Sequence, residues 1–428
     1  MIVLKDDLNQ TDMCNPSQKV IDLHSHIPEI TELDNRGVTI CRPLFSHSSF
    51  SYALDLDKEV WLKDWDGKEE FLYCAFTHHN QKLWPKHINL IPDKVLDGVR
   101  ARKGYLLFDN TLEGNRVDGK WFIEPFYKSM RELELPPDRV IFITNNYIAE
   151  KTHDEWFENQ NVYKEKMKLI AFMWDVYHVR NIIRDGHLPS KVDIEEEIKY
   201  KTARLDNMKH FMKVNRTNRQ ERNIFMLFMN YHKLLSKSLI SFPVLPDEWY
   251  PKGFEKYLTD DNVNDLRSKV PFDIDNTDET NHGNAGLGEG FFDADLPFQP
   301  VHYKNSFISI IFCAFPFEKN ACHLHTSTIN PIYCGHPFVQ FGPYKALEVM
   351  KERGFKTFDK WWDESYDNEP DGWKRFQKVM DITLELSKLS QKELLDIYID
   401  MKEVLQHNTD LISNFDVKFE LHDRILDE

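Results

Sequence analysis

The chemistry-bearing stretch that stands out first is Lys201–Arg222, KTARLDNMKHFMKVNRTNRQER. Seven Lys or Arg face only Asp206 and Glu221 there, a local net of +5 in a chain whose formal charge is -16. Asn215, Arg216, Arg219 and Arg222 fall where a strand predicted over His210–Val214 runs into a helix predicted over Arg219–Leu235. A spacing of three predicts that the three guanidinium groups share about a third of the helix circumference. Guanidinium forks beside the free N–H groups of a helix start suit a diphosphate, whose charge they meet bidentately. Open α/β sheets bind ligands at the carboxyl ends of their strands, which is where this run would lie. The plainer alternative is a solvated basic face making weak surface ion pairs.

Other residues invite metal chemistry. Val20–His26 contains His24 and His26 as H-x-H, which looks like the metal-binding strand of amidohydrolases and of the polymerase-and-histidinol-phosphatase group. Alternate residues of a strand point the same way, so two imidazoles there can share an ion. Chance is the alternative, since the chain holds 18 His. Cys322, His323, His325, Cys334 and His336 are locally dense, but Cys322 and His323 are adjacent and would point apart on a strand. Metal ligation is not expected from either set. Gly283, Gly286, Gly288 and Gly290 form G-x-G-x-G outside a strand-to-helix context, so a flexible loop is expected, not a dinucleotide fingerprint.

The elements that must position these groups follow a period. Short β-forming runs at Glu70–Phe76, Gly104–Phe108, Arg139–Thr144 and Lys168–Trp174 start roughly 30 to 35 residues apart, the length of one strand-plus-crossover-helix unit. A second series follows at His210–Val214, Ser238–Val244, Ser306–Ala314 and Pro337–Phe341. Helices are expected between them, among them Tyr344–Arg353, and Ser390 with Glu393 forms a capping-box pattern in a helical tail. The fold class is therefore α/β with two doubly wound domains. The divisions expected are 1–60 irregular, 61–205 an N-terminal Rossmann-like domain, 206–365 a C-terminal one, and 366–428 C-terminal helices.

Composition bounds the rest. A chain of 428 residues with 41% hydrophobic and 13% aromatic residues has ample core for two or three domains, which excludes wholesale disorder. Its negative charge argues against a long nucleic-acid footprint. Glycine is scarce at 16, so a phosphate site must use side chains more than a glycine-rich backbone. Six scattered cysteines favour free thiols in a reducing compartment, and no apolar run is long enough to span a membrane. A cytoplasmic location is the expectation.

NRTNRQER, NPIYCGHPFVQFGP and GFKTFDKWWDESYD are similar to the C-terminal half of glycosyltransferases found in bacteriophage genomes. Those proteins are distantly similar to fucosyltransferase and exostosin-type enzymes of the GT-B fold. GYLLFDNTLEG and RVIFITNNY resemble the matching N-terminal signatures, so the resemblance spans roughly Phe71 to Asp367. It implies two facing Rossmann-like domains. The second holds a nucleotide-sugar donor, the first faces the acceptor, and no metal or other cofactor is implied. The acceptor could be a glycan, a protein or a modified DNA base.

The donor-binding residues implied are Asn215, Arg216, Arg219, Arg222, Thr326 and Ser327. At the last two positions, aligned on Pro331, the family usually carries a Glu-Lys pair, so this chain offers two hydroxyls without charge. That departure keeps open a homologue that binds a glycan or nucleotide without turnover, or serves a virion-associated structural role. A hydrolase using His24 and His26 is the other alternative. Inverting transfer needs a base for the acceptor hydroxyl and charge stabilisation for the leaving diphosphate. Glu113 in DNTLEG is the first choice of base, Asp109 the second and His153 the third.

Overall fold

The computed structural model describes residues 1–5, 59–75, 88, 91–111, 116–184, 188–189, 191–215, 218–246, 250–272, 274, 300–416 and 418–426. His24, His26, Glu113, Arg216 and the loop glycines lie outside these residues. The chain divides into two compact units. The first comprises Met1–Trp174, Asn320–His323 and Asp416–Glu428; the second comprises Asp175–Lys319 and Leu324–Phe415.

The first unit is built on a six-stranded sheet in the order β2-β1-β3-β4-β5-β6. Its strands are β1 (Ile2–Lys5), β2 (Glu59–Trp61), β3 (Phe71–Ala75), β4 (Gly104–Asn110), β5 (Val140–Thr144) and β6 (Lys168–Ala171), and every pairing is parallel. β5 reads VIFIT and is buried at all five positions, the mark of a parallel strand covered on both faces. Helices Asp93–Arg100, Glu124–Glu132 and Ala149–Glu158 make the crossovers. Phe108, Phe122, Phe126 and Phe142 form a ring cluster that joins β4 and β5 to the helix Glu124–Glu132. One expectation is corrected: Ile2–Lys5, inside the stretch read as irregular, is a strand of this sheet. Its four residues are too few to show a period, and only pairing with β2 and β3 fixes their conformation.

The second unit carries β7 (Lys209–Val214), β8 (Ser238–Ser241), β9 (Ser306–Phe312) and β10 (Phe338–Phe341), all parallel, in the order β10-β9-β7-β8. Counted within each unit, both sheets start with the same 2-1-3-4 winding. In such sheets the crossovers change direction between the first and third strands, and ligands bind outside the carboxyl ends at that switch. In the second unit the switch is the β7–β9 pair.

Helix Ile194–Ala203 belongs to the second unit because Lys201 anchors it. The Lys201 Nζ donates to the carbonyls of Tyr303 (2.8 Å), Lys304 (3.1 Å) and Ser306 (2.6 Å) at the start of β9. Ser390 and Glu393 complete the predicted capping box, opening the helix Gln391–Asp400. Trp361 donates from Nε1 to Asp400 Oδ2 at 2.7 Å, which ties the DKWWDESYD segment to that helix. Arg424 near the C-terminus bonds Glu150 and the Ala171 carbonyl of the first unit.

Candidate functional site

β7 reads KHFMKV, and alternation puts Lys209, Phe211 and Lys213 on one face. Lys213 is 1% exposed. Its Nζ stands 3.6 Å from the centre of the Phe312 ring and 5.9 Å from that of Phe225. Among the described residues the Nζ has no hydrogen-bond partner. Burial first, then the Arg222 guanidinium, push its pKa well below the lysine range, while Glu221 and Cys313 act the other way. An aromatic face is worth up to about 2 kcal/mol to a desolvated cation. Leaving an ammonium buried without an acceptor costs several kcal/mol, so desolvation wins.

Lys213 is one of several such groups at the carboxyl edge of this sheet. Asn215 follows β7 with its N–H bonded to the Ser241 carbonyl at 2.8 Å. Its side chain is buried, and neither Oδ1 nor Nδ2 has a partner among the described residues. The same holds for Asn218 Oδ1, Glu221 Oε1 and Gln340 Nε2. Gln340 Oε1 accepts from Thr328 Oγ1 at 3.2 Å, and Thr328 lies 3.8 Å from Cys313 Sγ just beyond β9. Burial pushes the Cys313 thiol up to about 12, so it is not a nucleophile near neutral pH. Buried polar groups in folded proteins are nearly always bonded, so a concentration of incomplete ones marks a place built for something else to complete.

The arginines are arranged differently from the expected helical face. The helix runs Gln220–Tyr231, and Arg219 is its N-cap in an extended conformation (φ -147, ψ 151). Only Arg222 of the three expected arginines is seen on the helix; Arg219 reaches back to the Ala314 carbonyl in the loop after β9. Arg219 is extended and the helix begins only at Gln220, so Arg219 and Arg222 do not share a helical face. Arg222 is half-buried, and burial and Arg219 lower its pKa. The outcome still places Asn215, Arg219 and Arg222 around the carboxyl ends of β7 and β9, with Lys213 beneath them.

Thr326 and Ser327 open the helix Thr326–Tyr333, which His325 caps by accepting from the Ser327 N–H at 3.3 Å. Thr326 is buried and Ser327 exposed. Two residues further on, Thr328 is the hydroxyl that reaches Cys313 and Gln340. Sequence reasoning missed Lys213, Thr328 and Gln340. For Lys213 a signal existed: a lysine between Met212 and Val214 in a central parallel strand is an outlier by composition.

In the first unit, Asp109 ends β4 in the company of Asn110 and Thr111, all buried. Asp109 Oδ1 accepts from Thr111 N–H at 3.0 Å and from Thr111 Oγ1 at 2.8 Å. Burial nevertheless raises its pKa to about 7. His153 lies in a ring cluster with Tyr127 and Phe157, its Nε2 accepting from Tyr127 O–H at 3.0 Å. The Tyr127 oxygen in turn accepts from Met167 N–H at 2.9 Å. Burial lowers the His153 pKa to about 4, which fits a neutral core histidine.

The Cys and His set does not converge. His323 faces Asn145, with Nε2 to Nδ2 at 2.7 Å, in the first unit. In the second unit His325 caps its helix. His336 donates from Nε2 to the Ser306 carbonyl at 3.0 Å and accepts at Nδ1 from Ser309 Oγ at 2.9 Å. Among the described residues no group of three or more His, Cys, Asp or Glu could hold a metal ion.

Fold and site thus define a protein of two doubly wound parallel α/β units whose second unit carries an electropositive, incompletely bonded strand edge. No protein-family profile matches the chain, and no curated protein matches it by sequence. Among solved structures it is similar to a trehalose-6-phosphate synthase at 10% identity, covering 85% of this chain and 74% of that one, with a TM-score of 0.39. The N-terminal domain of a Candida albicans trehalose-6-phosphate phosphatase is similar at 9% identity, with 84% and 72% covered and a TM-score of 0.35. A trehalose-6-phosphate protein from E. coli, bound with UDP-2-fluoro glucose, gives 10%, 79% and 83%, and 0.33. At these scores the fold assignment rests on the two sheets themselves. Among the described residues no helix is long and apolar enough to cross a membrane.

Proposed function

We propose that this protein is a glycosyltransferase that takes a nucleotide-sugar donor at the carboxyl edge of its second sheet and passes the sugar to an acceptor hydroxyl. The observation that carries the reading is the group of buried, incompletely bonded side chains there, Lys213, Asn215, Glu221 and Gln340, flanked by Arg219 and Arg222. Cationic side chains at a strand-to-helix junction match the charge that develops on a leaving diphosphate. Asn215 and Gln340 have hydrogen-bonding capacity left for the remainder of such a ligand. The sequence resemblance to bacteriophage-type glycosyltransferases supplies the reaction class, and that kinship is part of the proposal.

Asp109 and Glu113 are the bases proposed on the first unit. Asp109 has a proton affinity suited to a base working near neutral pH, since a pKa of about 7 lets it accept a proton without being a weak acceptor. A binding protein without turnover is the second reading. It is favoured by the helix start at Thr326 and Ser327, where only hydroxyls and the His325 ring are offered.

A panel of nucleoside diphosphates tests the first reading by thermal shift, followed by release of the diphosphate from the matching nucleotide-sugars. UDP, GDP, CDP or ADP is expected to raise the melting temperature, and Asn215→Ala and Arg219→Ala to remove the rise. A flat response across the panel sinks the transferase. Stabilisation without release of any diphosphate, in the presence of candidate acceptors, moves the assignment to the binding protein.

A further inference from the structure

Lys213 is the strangest residue of the second unit. It sits on the strand beside the sheet's switch point, 1% exposed, with no acceptor among the described residues for any of its protons. What faces it is known element by element. Glu221, Arg222 and Phe225 come from the helix Gln220–Tyr231, and Phe312 and Cys313 come from the end of β9. β8 contributes only Ser238, Leu239, Ile240 and Ser241, none of them charged. His210 alternates to the opposite face of β7 and is bonded to the Leu389 carbonyl at 2.9 Å. Among the described residues the nearest charges are therefore one guanidinium and one carboxylate, and the guanidinium has the larger effect on Lys213.

This arrangement suits an amine in the free protein. A neutral amine tolerates the aromatic wall and the neighbouring Arg222; an ammonium there needs an acceptor and a counter-charge. A phosphate group supplies both. Building on the donor-site reading above, we propose that Lys213 is an uncharged amine in the free protein and becomes an ammonium when a nucleoside diphosphate binds. The proton comes from the solvent and forms the third N–H bond, so each ligand bound removes one proton from the buffer. Lys213 thereby acts as a ligand-contacting residue whose charge appears only when the diphosphate is present. Without the ligand this edge carries the exposed Arg219 and the half-buried Arg222, and a neutral Lys213 avoids adding a fully buried cation beside them.

Isothermal titration of the full chain with UDP, or whichever nucleoside diphosphate of the panel binds, tests this in two buffers of different ionisation enthalpy. At about pH 8 the phosphate is already ionised, its second pKa being about 6, so proton uptake reports on the protein. The expected result is an enthalpy difference equal to uptake of about one proton per ligand, and an affinity falling about tenfold per pH unit over that range. Lys213→Arg, permanently charged, is expected to bind with no uptake; Lys213→Met, which also removes the titrating group, covers the case in which the arginine variant does not fold. Equal enthalpies in both buffers overturn the proposal while leaving the donor site intact. Uptake that persists in either variant overturns it as well, because the proton then goes elsewhere. If no nucleoside diphosphate binds, the donor-site reading fails and this proposal with it.

Discussion

Lys201 and Lys213 lie at opposite ends of the same sheet, and each is 1% exposed. At the amino end, Lys201 donates to three carbonyls, which match the three protons of an ammonium. Burial lowers its pKa to about 7, with the Glu197 carboxylate opposing the shift. His336 beside it is bonded through both ring nitrogens. At the carboxyl end, Lys213, Asn215, Glu221 and Gln340 each keep an atom without a partner among the described residues. The two lysines are equally buried, so burial does not distinguish them. The difference is whether the protein finishes its own hydrogen bonds. It does so where the group only holds the fold together, and it leaves them incomplete where a ligand is expected.

The largest effect that would sharpen this contrast is loss of Lys201. Lys201→Met strands two buried carbonyls and one part-buried one, and we expect a loss of about 3–5 kcal/mol in denaturant unfolding. A loss below about 1 kcal/mol would show that the amino end is no better satisfied than the carboxyl end.

Asp109 extends the contrast to the first sheet. Burial raises its carboxyl from the ordinary aspartate value of 3.8 to about 7 in the folded state. A raised carboxyl pKa adds stability that is fully present below the unfolded value and is lost as pH rises through the folded one. Stability should therefore decline between about pH 4 and pH 7, by up to about 4 kcal/mol. Asp109→Asn is expected to flatten that decline and to be the more stable form at pH 8. A wild-type profile already flat across this window would remove Asp109 as a perturbed acid and as a candidate base.

Lys213→Met should change stability by no more than about 1 kcal/mol, since a buried amine without partners is replaced by a side chain of similar volume. Its cost should appear in nucleotide affinity. A large destabilisation with unchanged affinity would reverse the assignments of the two ends. The smallest effect on the fold is expected for Arg219→Ala, whose side chain is exposed and bonds one carbonyl. A stability change within about 0.5 kcal/mol should accompany a loss of about 1.5–3 kcal/mol in diphosphate binding, the value of a charge-assisted hydrogen bond.

The strands of both sheets after Glu70 were legible in the sequence, because parallel strands covered on both faces read as short apolar runs. RVIFIT and SFISIIF are cases in which the pattern and the observed β5 and β9 differ by two residues or fewer at each end. β1 was not legible, since four residues carry no period. The basic junction after β7 was legible as charge, and its position at a strand end follows from order along the chain. Its geometry was not. Whether Arg219 continues the helix or stays extended depends on the Ala314 carbonyl that it meets, which comes from 95 residues further along the chain.

The sequence by itself determined the α/β class, the two series of strands and the local reversal of charge in an acidic chain, all of which depend on neighbours within one element. Only the tertiary structure decided which buried polar groups are satisfied, because their partners come from distant segments. Lys201 meets the start of β9 about a hundred residues on, whereas Lys213, with the same side chain and the same burial, meets two phenyl rings and a guanidinium and, among the described residues, no hydrogen-bond acceptor. Hydrogen bonding requires an acceptor within about 3 Å, and sequence distance says nothing about that. The identity of a residue fixes what it can bond, and the fold decides whether the bond is made.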